Sequence, residues 1–241
     1  MNSTWRTRIT AGLSVIVIAG SGCASQPGAG DRGAQIQNEP APGAITSVDR
    51  YHPGDEKFYD SLRLDGAMLV APPADVRAAT GNADAVVVAT ITDVKLLRVM
   101  GDLQTVGLSL GVSETINGSL QPELIGKIVV EFPLGEPQSA AKQLAELQSS
   151  LPQGSAVWFL EWQGNKRPVT KPEVTENTDP ADPALYAPLH MHAMFAQGDA
   201  AVVNPLGEHG ENDKPLPGVQ ADGERFDKLS SLIGHIRAIG G

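Results

Sequence analysis

Residues Val106 to Ile116 alternate with unusual regularity. Val106, Leu108, Leu110 and Val112 fall on one face; Gly107, Ser109, Gly111 and Ser113 fall on the other. A period of two puts successive side chains on opposite sides of the backbone, so this stretch predicts a half-buried strand. Asn117-Gly118 then supplies a turn. A strand of this kind needs partners, and the sequence offers them. Ala85 to Val94 (AVVVATITDV) is rich in β-branched residues, and Lys127 to Phe132 places Ile128, Val130 and Phe132 on one side. Ala156 to Trp162 (AVWFLEW) gives a fourth strand. Two shorter ones are expected near His190 to Gln197 and Ala200 to Val203, joined at Gly198-Asp199.

Helical spacing interrupts this pattern. Ala140, Leu144, Leu147 and Leu151 predict a helix over Ser139 to Ser150, ended by Pro152-Gln153-Gly154. Phe226, Leu229, Ile233 and Ile236 predict another near Glu224 to Ile239, and Asp75 to Thr80 reads as a short helix between Pro72-Pro73 and Gly81. The fold class is therefore mostly β with two to three helices, an α+β chain. Val48 to Val70 holds Tyr51, Phe58, Tyr59, Leu62, Leu64, Met68 and Leu69, and is expected to pack on the domain without a clear period. Asn165 to Pro183 and Asn204 to Gly223 read as surface loops.

The order of these elements, with a helix between the third and fourth strands, resembles the small barrels of the OB type over roughly residues 75–205. The netrin/tissue-inhibitor-like branch is the nearest in pattern. The resemblance implies a five- or six-stranded barrel with a C-terminal helix. Inhibitors of that branch present an amino-terminal cysteine tied by disulfides. With one Cys in 241 residues, that mechanism does not carry over. Nucleic-acid binding is not expected, because a net charge of −10 and 5% aromatic residues oppose a basic, stacking surface.

The single cysteine has a telling position. Arg6 and Arg8 precede an apolar stretch from Ile9 to Ala19; Gly20, Ser21 and Gly22 follow, and then Cys23. A basic start, a short apolar centre and small residues describe a secretory signal peptide. The apolar stretch is shorter than the ~20 residues a bilayer span needs. Small residues directly before a cysteine resemble a bacterial lipobox, although Gly20 stands where such motifs usually carry Leu. The resemblance implies cleavage before Cys23, a diacylglycerol on its thiol and further acylation, for instance by palmitate. The expected organisation is a signal peptide at 1–22, a lipidated flexible tether at 23–47 and a β-rich domain at 48–241. Ala24 to Ser47 is rich in Gly, Pro and Gln and too poor in large apolar residues to form a core. The expected location is the extracytoplasmic side of a cell membrane, held by the lipid anchor. Losing Arg6 and Arg8 makes the mature chain more acidic, so attachment comes from lipid and not from a basic patch.

Candidate chemistry is sparse. His190-Met191-His192 would share a strand face and could reach one metal ion. Further ligands would have to come from His209, Glu208, Glu211 or His52, none at diagnostic spacing. The ordinary alternative is an exposed pair on an edge strand. Trp158 and Trp162 share a face with Leu160 and form either an aromatic binding surface or core. Glu173, Glu176, Asp179 and Asp182 lie in a polar loop where solvation explains them. Asn117-Gly118-Ser119 matches a glycosylation acceptor, which a bacterial-type signal makes accidental. No nucleophile elbow and no phosphate loop is present. No cofactor and no catalytic residue is expected. The expected function is a non-catalytic envelope module that binds a protein or small ligand. The alternative is a metal-binding or metal-dependent envelope protein using His190 and His192. A hydrolase assembled only in three dimensions is a third class.

Overall fold

The computed structural model describes residues 47–63, 71–100, 102–121, 128–163, 185–207, 209 and 214–241. Seven strands form one sheet: β1 (Ala85–Met100), β2 (Leu103–Gly118), β3 (Ile128–Gly135), β4 (Ala156–Trp162), β5 (Leu185–Pro188), β6 (Met194–Gln197) and β7 (Val202–Val203). Five α-helices accompany them among the described residues: α1 (Glu56–Asp60), α2 (Val76–Asn82), α3 (Ala140–Ser149), α4 (Val219–Glu224) and α5 (Leu229–Gly240). The molecule is mixed α+β. Among the described residues it has seven strands where five or six were expected, and more helices than the expected two to three. The additional helices are α1 and α4, each too short to repeat the 3.6-residue helical period.

The strand order is β1-β2-β3-β5-β4-β6-β7, and β1 also pairs with β4. The ladders β1–β2, β2–β3, β3–β5, β5–β4 and β4–β1 thus return to their starting strand. All are antiparallel except β3–β5, where Val129 pairs with Leu185 and Val130 with Tyr186.

Two cores follow from the alternation of side chains. Val87, Leu108, Val130, Phe132, Trp158 and Leu160 point into the first core. Val86, Val88, Val157 and Phe159 point the other way and pack under α2, α4 and α5 with Ala79, Leu232, Ile233 and Ile236. Both faces of these strand segments are buried, which is why they read as continuous apolar runs. Full burial of each large side chain contributes about 1.5–3 kcal/mol.

β1 and β2 run further than their sequence signals. Ile91 pairs with Leu110 but Asp93 with Ser109, so one extra residue bulges from β1. The bulge turns Asp93 outward and Val94 inward, breaking the alternation where the strand had been expected to end. Beyond it, the Arg98 guanidinium grips Glu131 through Nε and Nη2 at 2.9 and 2.7 Å. Asn117-Gly118 ends β2 rather than forming a separate turn; Gly118 has a φ of +68°, and a Cβ there would collide with the Asp84 carbonyl. The expected strand His190 to Gln197 divides into a turn and β6. The expected helix from Glu224 starts at Leu229, because Arg225 to Lys228 cross from α4 to α5.

α3 lies where expected and buries Ala140 and Leu147. α2 opens on Asp75, whose carboxylate accepts the Ala78 amide at 2.7 Å, and Asp222 accepts the Val76 amide at 2.9 Å. No helix among the described residues is long and apolar enough to cross a membrane.

Candidate functional site: a cleft beneath an N-terminal strap

Residues 47–63 form a strap along the domain. Pro53 and acidic Asp55 and Glu56 favour a helix start there, and α1 follows. Phe58, Tyr59 and Leu62 enter the first core, with the Phe58 and Tyr59 rings edge to face at 5.4 Å. Polar contacts fix the strap at three points. Asp49 accepts Ser230 N and Ser230 Oγ, both at 2.8 Å. These bonds satisfy the first turn of α5, whose own N-cap, Lys228, offers no side-chain acceptor. Asp55 accepts Gln153 N at 2.9 Å and Gly154 N at 2.8 Å. Arg63 donates to the Pro205 carbonyl from Nε at 3.2 Å and Nη2 at 2.9 Å.

A cleft of about 120 Å³, open to solvent, lies between the strap and the β6–β7 hairpin. The strap contributes Arg50, Tyr51, His52, Asp55, Glu56 and Tyr59; the facing wall includes Gly154, Ala196, Asp199 and Val203. Tyr51 donates to Glu56 Oε1 at 2.6 Å. That bond, then burial and the charges of Glu56 and Asp199, raise the Tyr51 phenol above its ordinary value. Tyr59 is 4% exposed. Burial, and then the nearby Asp55 carboxylate, push its phenol well above the usual tyrosine range, so it stays neutral at physiological pH.

The histidine pair is placed differently from the sequence expectation. His190 and His192 lie in the turn between β5 and β6, not on a strand, and each is only 6% exposed. Their rings stand 4.9 Å apart, and His192 N donates to His190 Nδ1 at 3.1 Å, which fixes that nitrogen as an acceptor. Asn204 Nδ2 holds the same turn through the Met191 carbonyl at 3.1 Å. The pair is therefore not exposed on an edge strand. His209 pairs with Glu224 at 3.3 Å, and His52 lines the cleft. Among the described residues no three His, Cys, Asp or Glu side chains gather as a metal site. Trp158 is core, edge to face with Phe132 at 6.2 Å, so it does not supply an aromatic binding surface; Trp162 is half-buried. Cys23, Glu173, Glu176, Asp179, Asp182, Glu208 and Glu211 lie outside the described residues.

Sequence reasoning missed the cleft. Its strap was legible only as an apolar-rich segment, because Tyr51, Asp55 and Tyr59 meet Asp199 through the fold and not through local spacing. Pro53 before Asp55-Glu56 is the signal that could have revealed α1. No protein-family model matches this chain, and no curated protein and no solved structure matches it either.

Proposed function

We propose that this chain is a lipid-anchored extracytoplasmic envelope protein, a non-catalytic binding module that takes its ligand in the strap cleft. The observation that carries this reading is the construction of the cleft. One wall is the strap, the first described segment after the tether, and it is fixed to the domain through Asp49, Asp55 and Arg63. In this reading the closed circuit of β1 to β5 is a small OB-type barrel. Support comes from its strand order and from α3, which stands in sequence between β3 and β4. Cleavage before Cys23 and a diacylglycerol on its thiol supply the membrane hold. One acyl chain binds only marginally and two bind stably, at about 0.8 kcal/mol per buried CH₂. The tether then spans the gap between membrane and strap. The role is to present a rigid cleft near a membrane surface without chemistry of its own.

Expression of the full chain in a bacterial host with labelled palmitate tests the anchor. The wild type should incorporate label and partition into detergent, and Cys23→Ala should do neither. Equal labelling of the two would remove the anchor from the proposal.

A further inference from the structure

We propose that the first core takes a neutral oxygen acceptor from outside the chain, held on the Trp158 indole N–H and admitted from the strap cleft. The oxygen is that of a water molecule or the carbonyl oxygen of a small apolar ligand. For its route of entry this rests on the reading of the cleft as a binding site, and it adds the chemistry of what enters. The observation that carries it is Trp158 Nε1. The residue is 1% exposed, and this nitrogen has no hydrogen-bond partner among the described residues. An indole nitrogen can only donate. A donor left unmet in an apolar interior is costly, so nearly all such groups are bonded, to protein or to a bound molecule. Phe132 stands edge to face with the Trp158 ring, and Val87 and Met194 are its partners across the sheet; none brings a side-chain oxygen.

The strand register relates this N–H to the cleft. Ala156 pairs with Ala196, and Trp158 pairs with Met194. Residues two apart on a strand share a face, so the Trp158–Met194 pair stands one step, about 6.8 Å, beyond the two alanines. Ala196 lines the cleft and packs against the first core, and Tyr59 belongs to both as well. The cleft therefore adjoins the core that holds Trp158, and a side-chain shift at Tyr59, of the kind binding commonly brings, joins the two. The class of ligand follows by elimination. A cation has no lone pair to offer an N–H. An anion would pass Asp55, Glu56 and Asp199 and then leave water for an apolar core. A neutral oxygen gives up far less hydration and gains the bond. The cleft volume of about 120 Å³ keeps the ligand small.

Nitrogen-15 NMR of the full chain in non-ionic detergent provides the test, read at the Trp158 indole N–H. Trp5→Phe and Trp162→Phe remove the other two indoles, which assigns the resonance without touching Trp158. Cross-relaxation from water should reach this proton. Cyclohexanone should shift it saturably, together with the Gly154 and Gly198 amides, and should quench the water signal. Cyclohexylamine and cyclohexanecarboxylate carry the same ring with opposite charges and should leave the indole N–H unmoved. Trp158→Phe should weaken cyclohexanone about 3- to 10-fold. A water signal that saturating cyclohexanone displaces supports a ligand oxygen; one that it leaves unchanged supports water. With neither a water signal nor a ketone shift at the indole, the inference is overturned, and cleft amides that still respond would leave the cleft reading standing alone. Equal indole shifts from the charged rings overturn the neutral class. A water signal at the indole with no ring compound moving the cleft amides supports the inference and counts against the cleft as a small-molecule site.

Discussion

Asp49, Asp55, Asp75, Asp84 and Asp222 each accept at least one backbone N–H, and Glu224 accepts the Asn204 amide at 2.9 Å. Part of the acidic excess therefore fastens backbone ends that would otherwise lack partners. Asp49 is the clearest case, because it caps a helix that has no cap of its own. Asp49→Ala should lower stability by about 1–2 kcal/mol, read as a lower urea midpoint with an unchanged slope. Asp49→Asn should lose less, since its amide oxygen still accepts. Tyr59 makes a second prediction at this scale. Its folded phenol ionises well above the ordinary 10.0 because burial, and then Asp55, oppose the charge. Below about pH 10 both folded and unfolded states hold the proton, and the stability is fully present. Above that pH the unfolded chain loses the proton first, so stability falls as pH rises toward the folded value. Urea midpoints at about pH 8 and about pH 10.5 should drop further in the wild type than in Tyr59→Phe.

At the scale of elements, α4 meets β6 through a glycine. A Cβ at Gly223 would collide with the Phe195 ring, which also stacks edge to face on Phe159 at 6.2 Å. Gly223→Ala should therefore destabilise by about 1–3 kcal/mol through overpacking, although alanine is the better helix former. A thermal scan showing a raised midpoint would contradict this contact. The same scale shows what local pattern conveys. β2 was legible from its alternation and α3 from its spacing, because each has one buried face over many residues. β5 was invisible: four residues, Leu185–Pro188, carry no period, and the pairing with β3 comes from residues more than fifty positions earlier. β1 past Val94 was hidden by its bulge. α4 follows Pro215, Pro217 and Gly218, so its turn chemistry masked a short helix.

Across the whole molecule, the α+β class was readable because strand and helix periods are properties of neighbouring residues. The cleft was not, because its walls come from positions near 50, 154 and 200. His190 and His192 show the reverse error. Their spacing pointed to an exposed pair, but a tight turn buries both under Asn204, and only the adjacency of the two rings survives. The strap carries one further consequence, for the timing of folding. Ala85 finds Leu160 only after β4 exists, and Asp49 finds Ser230 across 181 positions. Contacts this distant close slowly, and none can form before its later partner has been synthesised. The segment made earliest among the described residues is therefore fastened by one of the last. In synthesis from the amino end, Asp55 can reach Gly154 and Arg63 can reach Pro205 while Ser230 does not yet exist, so the hold of Asp49 on α5 is the latch that closes last.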